Sequence, residues 1–343
     1  MSDFQARREE VLEENAAEKG DDVLRMDWTK KAATRCSAEY MFNVMSGSRR
    51  IVASIPASSA GPHEMEDLLW QMRGRGVNPK VAYVDDECCG AWAEIVSRVW
   101  PGATVRLDAM HALARLTRTT TSTQHPWQGQ FCSMLSDALF TYDPRVMHRL
   151  QTAWARSGAK GALPKNIKTK LVPRIVQDAS RVSACIDGVI NTFLGKTHPE
   201  GGTLLTPDTN IAWKSLREHV CRGCLCDPPN VNVHVYDERE NISIGGETFY
   251  RVRTCRGTSP LEGFHCHQKQ WLGTFGIHTQ EAGMALVADG TLRWNRQRAN
   301  EASSGSDKVP LVFAGSVLQE IQRLHQEMTG ESLYPNLHID RRG

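Results

Sequence analysis

The sequence predicts an α/β protein with one mixed sheet, three antiparallel strands followed by α/β crossovers, and a mostly helical insertion. Three observations carry this. Three short apolar segments lie close together within residues 22–56, separated by turn residues. Strand-like and helix-like periods then alternate from 62 to 118. Finally, Lys80-Val81-Ala82-Tyr83-Val84-Asp85-Asp86 reads as an apolar strand that ends in two carboxylates. That is how an α/β sheet brings a reactive group to its rim.

The bulk properties narrow the class. At 343 residues the chain has room for two domains, or for one domain with a large insertion. Hydrophobic residues at 40% and charged residues at 23% describe a soluble globular protein. No apolar run approaches the ~20 residues that cross a bilayer, so no membrane partner is expected. The first twenty residues are charged and do not form a secretory signal. Ten cysteines without the spacing of a disulfide framework point to a reducing, intracellular compartment. A formal net charge of +2 means that any surface for nucleic acid must be local.

Taken in order, residues 3–19 are rich in Glu, Ala and Arg and predict a helix, stopped by Gly20. Strands follow at 22–29, with Asp27 inside the run, at 40–45 and at 50–56. Ser46-Gly47-Ser48 turns between the last two, giving an antiparallel meander. Met65, Leu68, Leu69 and Met72 fall at i, i+3, i+4, i+7 and predict a helix over 62–75. Pro62 sits in its first turn and Gly76 ends it. The Asp85 strand comes next. A helix over 91–99 then has Trp92, Ile95, Val96 and Val99 on one face, before a strand over 103–107 and a helix through 118.

This β-β-β-α-β-α-β-α order is that of the ribonuclease H-like fold, in which the first and fourth strands are neighbours. It divides the chain into an N-terminal helix (1–21), the first part of the core (22–118), a mostly helical insertion (119–250), the second part of the core (251–300) and a C-terminal helix and tail (301–343). Strands are expected near 231–236 and 248–252. A helix capped by Ser259, with Pro260 as its first residue, is expected to carry Glu262. Two more helices are expected near 279–300 and 315–329.

Two-metal phosphoryl transfer needs carboxylates from separate elements that meet and hold two divalent ions ~3.5–4 Å apart. Oxygen ligands of this kind suit Mg²⁺ and Mn²⁺. Asp27 on the first strand, Asp85 at the end of the fourth and Glu262 on a later helix are the candidate catalytic and metal-binding residues. Each also has a plainer reading, such as a strand-end acid or a first-turn acid favoured by the helix dipole. Asp108 and His111 lie one helical turn apart and share a face. They are either a buried pair bracing the sheet edge or a group that supports the acids and positions a DNA strand.

Four segments resemble, in order, the motifs of DDE-type transposases of the Mutator-like and related families. Met26-Asp27-Trp28-Thr29 looks like the first Asp motif, and Tyr83-Val84-Asp85-Asp86 like the second. Leu107-Asp108-Ala109-Met110-His111 resembles the Asp-x-Phe-His or Cys-x-x-His element after the next strand. Gly257-Thr258-Ser259-Pro260-Leu261-Glu262-Gly263-Phe264-His265 resembles the element that supplies the last Glu. The likeness covers roughly residues 22–300. Trp28, Met110 and His265 depart from it, standing where a small residue, an aromatic and an Asn are usual. No DNA-binding zinc module precedes Asp27 in this sequence.

The resemblance implies a transposase catalytic core that cuts and transfers DNA strands with Mg²⁺ or Mn²⁺. DNA, as transposon ends and target, would be its partner. Self-association and, in a eukaryote, a nuclear location are further expectations. The alignment selects Asp85 over Asp86, leaving Asp86 to cap the next helix or face solvent. Asp86, Asp108, His111 and His265 become supporting or DNA-positioning residues. Two alternatives stay open: a relic that keeps the fold and binds DNA or protein without cutting, and a ribonuclease H-like nuclease with no strand transfer.

Two further features complete the reading. Segment 144–183 carries nine basic residues against the single acid Asp178. Arg149, Lys165, Lys168, Lys170 and Arg174 within it are the candidate DNA contacts, the plain alternative being a solvated face. Cys221, Cys224 and Cys226 include a Cys-x-x-Cys spacing, with Cys255, His265, Cys266 and His267 further on. No second well-spaced pair accompanies them, and Cys88-Cys89 does not supply one, so the cysteines read as free thiols.

Overall fold

The computed structural model of the chain describes residues 7–273, 277–303 and 315–333. The elements run α1 (Arg8–Ala17), β1 (Val23–Thr29), the short α2 (Lys30–Ala33), β2 (Tyr40–Ser46), β3 (Ile51–Ala57), α3 (Glu66–Gly74), β4 (Val81–Val84), α4 (Ala91–Val99), β5 (Thr104–Leu107) and α5 (Ala109–Thr117). They continue as α6 (Gln128–Leu139), β6 (Phe140–Tyr142), α7 (Pro144–Arg156), α8 (Lys165–Leu171), β7 (Arg174–Val176), α9 (Ala179–Phe193), β8 (Thr197–His198), β9 (Gly202–Thr203) and α10 (Pro207–Cys221). The chain closes with the β10 (His234–Ile244) and β11 (Glu247–Thr254) hairpin, α11 (Ser259–Trp271), α12 (Gln280–Ala302) and α13 (Gly315–Thr329). Among the described residues no helix is long and apolar enough to cross a membrane.

The architecture is α/β, with a five-stranded mixed sheet in the order β3-β2-β1-β4-β5. β1 and β2, and β2 and β3, pair antiparallel as the meander predicts. β4 is buried at all four residues, as an apolar strand covered on both faces should be. The expected helix over 62–75 begins as a 3-10 turn at Pro62–Met65 before becoming α3. The expected helix over 3–19 is the shorter α1 among described residues, and its first positions lie outside them. Ser259 is the first helical residue of α11 rather than its cap. Thr258 precedes it, with helical dihedrals and no side-chain capping bond.

The chain divides into two compact units. The first comprises Met1–Ala82, Ile95–Ala103 and Thr258–Gly343, and the second Tyr83–Glu94 and Thr104–Gly257. In the first unit the strand register sets out a polar row. Asp27 stands opposite Asn43, and Asn43 opposite Ser54, so the three side chains share one face. Gln268 of α11 completes this row. Its Nε2 donates to Asn43 Oδ1 and to Ser54 Oγ, both at 2.9 Å, while Ser54 Oγ donates to Asn43 Oδ1 at 2.8 Å. Around it, Met45, Ile51, Leu261 and Phe264 form an apolar cluster joined by Trp271 and Trp294. Asn295 of α12 binds the sheet's edge strand as another strand would: it accepts from Ile51 N at 2.7 Å and donates to Ile51 O at 2.9 Å.

The second unit holds α5–α10 and the long hairpin. Trp127, Phe131 and Phe193 pack with ring centroids 5.5–6.0 Å apart. A separate cluster of Leu150, Ala153, Leu171, Val172, Ile244 and Phe249 fixes α7 and α8 to the hairpin. The hairpin turn at Gly245 has φ +53°, and a Cβ there would lie 2.1 Å from the Ala153 carbonyl oxygen, so only glycine fits.

Asn43 and Gln268 are both fully buried, so removing one strands the other without water. Gln268→Ala is expected to lower stability by ~1–3 kcal/mol in urea unfolding, whereas exposed Gln270→Ala stays within ~0.5. Equal effects would show that the buried amides contribute nothing specific.

Candidate functional site

Three groups of side chains have the composition and spacing to hold a metal ion. The first lies in the first unit and joins Asp27, Glu262 and His265, with ligand atoms within 4.8 Å of one another. β1 carries Asp27 on the face of the polar row, and the row docks α11 against it. Glu262 and His265, one helical turn apart, thus share the face that meets Asp27. His265 Nδ1 lies 3.9 Å from Asp27 Oδ2 and 3.8 Å from Glu262 Oε2. Asp27 and His265 are buried, whereas Glu262 is 62% exposed and opens the group to solvent. Asp27 Oδ1 accepts the Trp28 amide at 2.7 Å, which leaves Oδ2 turned towards the helix. An acid of the first strand and an acid 235 positions later thus meet at one place.

The second group lies in the second unit. Asp108 is fully buried as the N-cap of α5, and its Oδ1 accepts the His111 amide at 2.7 Å. Its own N–H donates to Val84 O at 2.8 Å, fixing α5 to the end of β4. Gly257, with φ +70°, passes so close that a Cβ there would lie 2.1 Å from Asp108 Oδ2. His111 Nδ1 sits 3.3 Å from Asp108 Oδ1 and 3.1 Å from Asp85 Oδ1. Hydrogen bonds to Asp108 first, and to Asp85, raise the His111 pKa to about 10 against partial burial. The ring is therefore an imidazolium between two carboxylates at neutral pH.

Asp85 and Asp86 part company here. Asp85 faces His111 and is 28% exposed at its side chain. Asp86 is 78% exposed and pairs with Arg115 at 3.1 Å. Asp86 does not cap α4; its Oδ1 accepts the next amide, Glu87 N, at 2.8 Å. Arg115 also donates to the Asp85 carbonyl at 2.8 Å, holding the segment after β4.

The third group, also in the second unit, is one that the sequence reading missed: Cys88, Cys89, His219 and Cys224. Cys224 does not gather Cys221, Cys226, Cys255, Cys266 or His267 into a site. Its cysteine partners come from about 135 positions earlier in the chain, and His219 from five. The signals for it were the adjacent pair Cys88-Cys89, set just beyond the acid strand, and the His219-x₄-Cys224 spacing. A hydrogen bond with Cys88 draws the Cys224 thiol down to about 5, assisted by Cys89 and His219 and opposed by burial. The same contact, with burial, holds Cys88 well above the ordinary thiol range.

The basic segment is less bare in space than in sequence. Arg149 and Arg156 both reach Glu247 on the hairpin. Lys170 lies 3.7 Å from Glu240. Arg174 pairs with Asp137 at 3.6 Å and lies over the Phe140 ring. Lys165 and Lys168 make no ion pair among the described residues. Trp294, Asn295 and Arg296 are structural: the first two bind the Arg49 and Ile51 backbone, and Arg296 pairs with Glu14 and Glu10.

A histidine with a raised pKa stabilises the fold fully below its unfolded value of 6.5 and loses that contribution as pH rises through about 10. His111→Gln should therefore destabilise the chain more at pH 6 than at pH 10, measured by urea unfolding without added divalent ions. A gap between wild type and variant that does not change with pH would rule out the charged bridge.

No protein-family profile matches this chain, and no curated protein is similar enough to match it.

Proposed function

We propose that this chain is the ribonuclease H-like catalytic core of a DDE-type transposase, acting on DNA with Mg²⁺ or Mn²⁺. The observation that carries the reading is the meeting of Asp27, Glu262 and His265. The strand order β3-β2-β1-β4-β5 supports it, because it makes β1 and β4 neighbours, the two strands whose acids the mechanism needs.

The donor set fits the ion class, since carboxylate oxygens at partly open positions suit Mg²⁺ and Mn²⁺ rather than thiophilic metals. Asp27, Asp85 and Glu262 would hold the ions, which when bound supply the charge that activates the attacking oxygen and stabilises the leaving one. The chain's own residues set the stage for this. The polar row fixes α11 against the strand that carries Asp27, and so sets where the Glu262 backbone stands. His111 orients Asp85 by a charged hydrogen bond, and Asp108 orients His111. Lys165 and Lys168 offer charge to a phosphate backbone.

A relic that keeps the fold without cutting is the second reading. It draws on His111, whose charged ring already neutralises Asp85, and on Trp28 beside Asp27.

A cleavage assay with Mn²⁺ on a short duplex separates the readings. Asp85→Asn should lower cleavage by orders of magnitude. Asp86→Asn, which removes an exposed ion pair with Arg115, should cost at most ~1 kcal/mol of stability and leave most activity. If Asp86→Asn is the inactive variant and Asp85→Asn cuts normally, the roles are reversed. A wild type that never cuts, even on its own terminal DNA, leaves the relic. For binding, Lys165→Ala with Lys168→Ala should flatten the dependence of log affinity on log salt by up to ~2, at ~0.9 per phosphate contact. An unchanged slope would make α8 a solvated face.

A further inference from the structure

We propose that Cys88, Cys89, His219 and Cys224 form a structural zinc site that ties the segment after β4 to the C-terminal end of α10. The proposal is independent of the strand-cleavage reading, since it concerns a different group and a different class of metal.

The geometry is that of a nearly assembled tetrahedral shell. Cys88 and Cys89 Sγ are 3.6 Å apart, and Cys89 and Cys224 Sγ are 3.0 Å apart. His219 Nδ1 lies 3.3 Å from both Cys88 and Cys89 Sγ. Zinc with ~2.3 Å bonds to sulfur and ~2.0–2.1 Å to nitrogen separates its ligands by about 3.6–3.8 Å at tetrahedral angles. The observed spacings need only a modest expansion to reach this. Three sulfurs and one imidazole nitrogen make a closed Cys₃His set, the composition of structural rather than catalytic zinc. Soft thiolate donors also distinguish it from the carboxylate groups, which favour harder ions.

The local backbone presents these ligands deliberately. Glu87, in the left-handed region at φ +50°, and a Gly90 N–H to Glu87 O bond of 3.0 Å make the tight turn that aims Cys88 and Cys89 at His219. At the other end, α10 stops at Cys221. Gly223 with φ +72° turns the chain, and Cys224 N donates back to His219 O at 3.0 Å. That turn brings residues five apart to one point. Cys224 O then accepts Leu107 N at 2.9 Å, so the knuckle is also bound to β5. Cys88 and Cys224 are buried, which suits ligands of a structural ion.

A disulfide between Cys89 and Cys224 is the competing use of the closest pair. It would leave Cys88 and His219 converging on nothing, and the thiols here are free. In the proposed reaction the thiols bind Zn²⁺ as thiolates, release their protons to solvent and undergo no redox change.

The test is metal content of the full chain, purified under reducing conditions without chelator. We expect about one zinc per chain. Cys89→Ser and His219→Ala should each lose most of it, while Cys221→Ser and Cys226→Ser, outside the group, should keep it. Because the losing variants could also unfold, wild-type protein is exchanged with Co²⁺. Strong visible d–d absorption together with thiolate charge-transfer bands is expected, and chelation should lower the melting temperature by several degrees. The proposal is overturned by zinc-free wild-type protein that fails to take up Co²⁺, by zinc content unchanged in Cys89→Ser, or by a Cys89–Cys224 disulfide found in place of metal.

Discussion

The hydrogen-bonded amides of Asn43 and Gln268 decide where Glu262 can be. Both side chains are fully buried, and each has one satisfactory arrangement with the other and with Ser54. An apolar contact would let α11 slide along the sheet at small penalty, because dispersion is not directional. Two buried amides do not allow this, since a slip of one residue leaves polar atoms without partners. Asp27 belongs to the same row as Asn43, so the device that docks the helix also places its first-turn acid beside the strand acid. The apolar cluster under Phe264 adds stability to a register that the polar atoms choose.

Much of this was legible because it is local. Period-two runs and turn residues gave the strand order, and the abrupt end of an apolar strand gave Asp85. The arrangement of Asp27 and Glu262 in one group followed from that order and from the resemblance. What escaped was non-local. Cys88-Cys89 and Cys224 are separated by about 135 positions, and no spacing rule connects them. The acids that meet the basic segment, Glu240 and Glu247, sit on a hairpin some 70–100 positions downstream. Segment counting therefore overstated the free positive charge. The cap of α11 was misplaced by one residue because Ser259-Pro260 is a good start signal, while Pro260 can equally occupy the second helical position.

The segment after β4 shows how a short loop can be made rigid without a core of its own. From Asp85 to Gly90 few side chains are apolar, so burial cannot hold it. Instead, each end is fixed by polar contacts within one unit. Arg115 binds the Asp85 carbonyl and the Asp86 carboxylate, His111 holds the Asp85 carboxylate, and the Cys88-Cys89 turn closes on His219. Each contact contributes modestly, and together they remove the freedom a six-residue loop would otherwise keep.

The two acidic groups are balanced differently, and the difference bears on what they do. In the second unit the imidazolium of His111 lies within hydrogen-bond distance of both Asp85 and Asp108, so their charge is met inside the fold. In the first unit His265 stands 3.8–3.9 Å from Glu262 and Asp27, beyond that distance. A carboxylate as buried as Asp27 is costly to keep ionised unless a cation or hydrogen-bond donors approach it. The Trp28 amide supplies one such donor. Glu262, open to solvent on the other side, leaves a path by which a cation could reach the pair. A buried strand acid set beside a solvent-open helix acid is an arrangement into which a cation from solution can enter without the fold having to open.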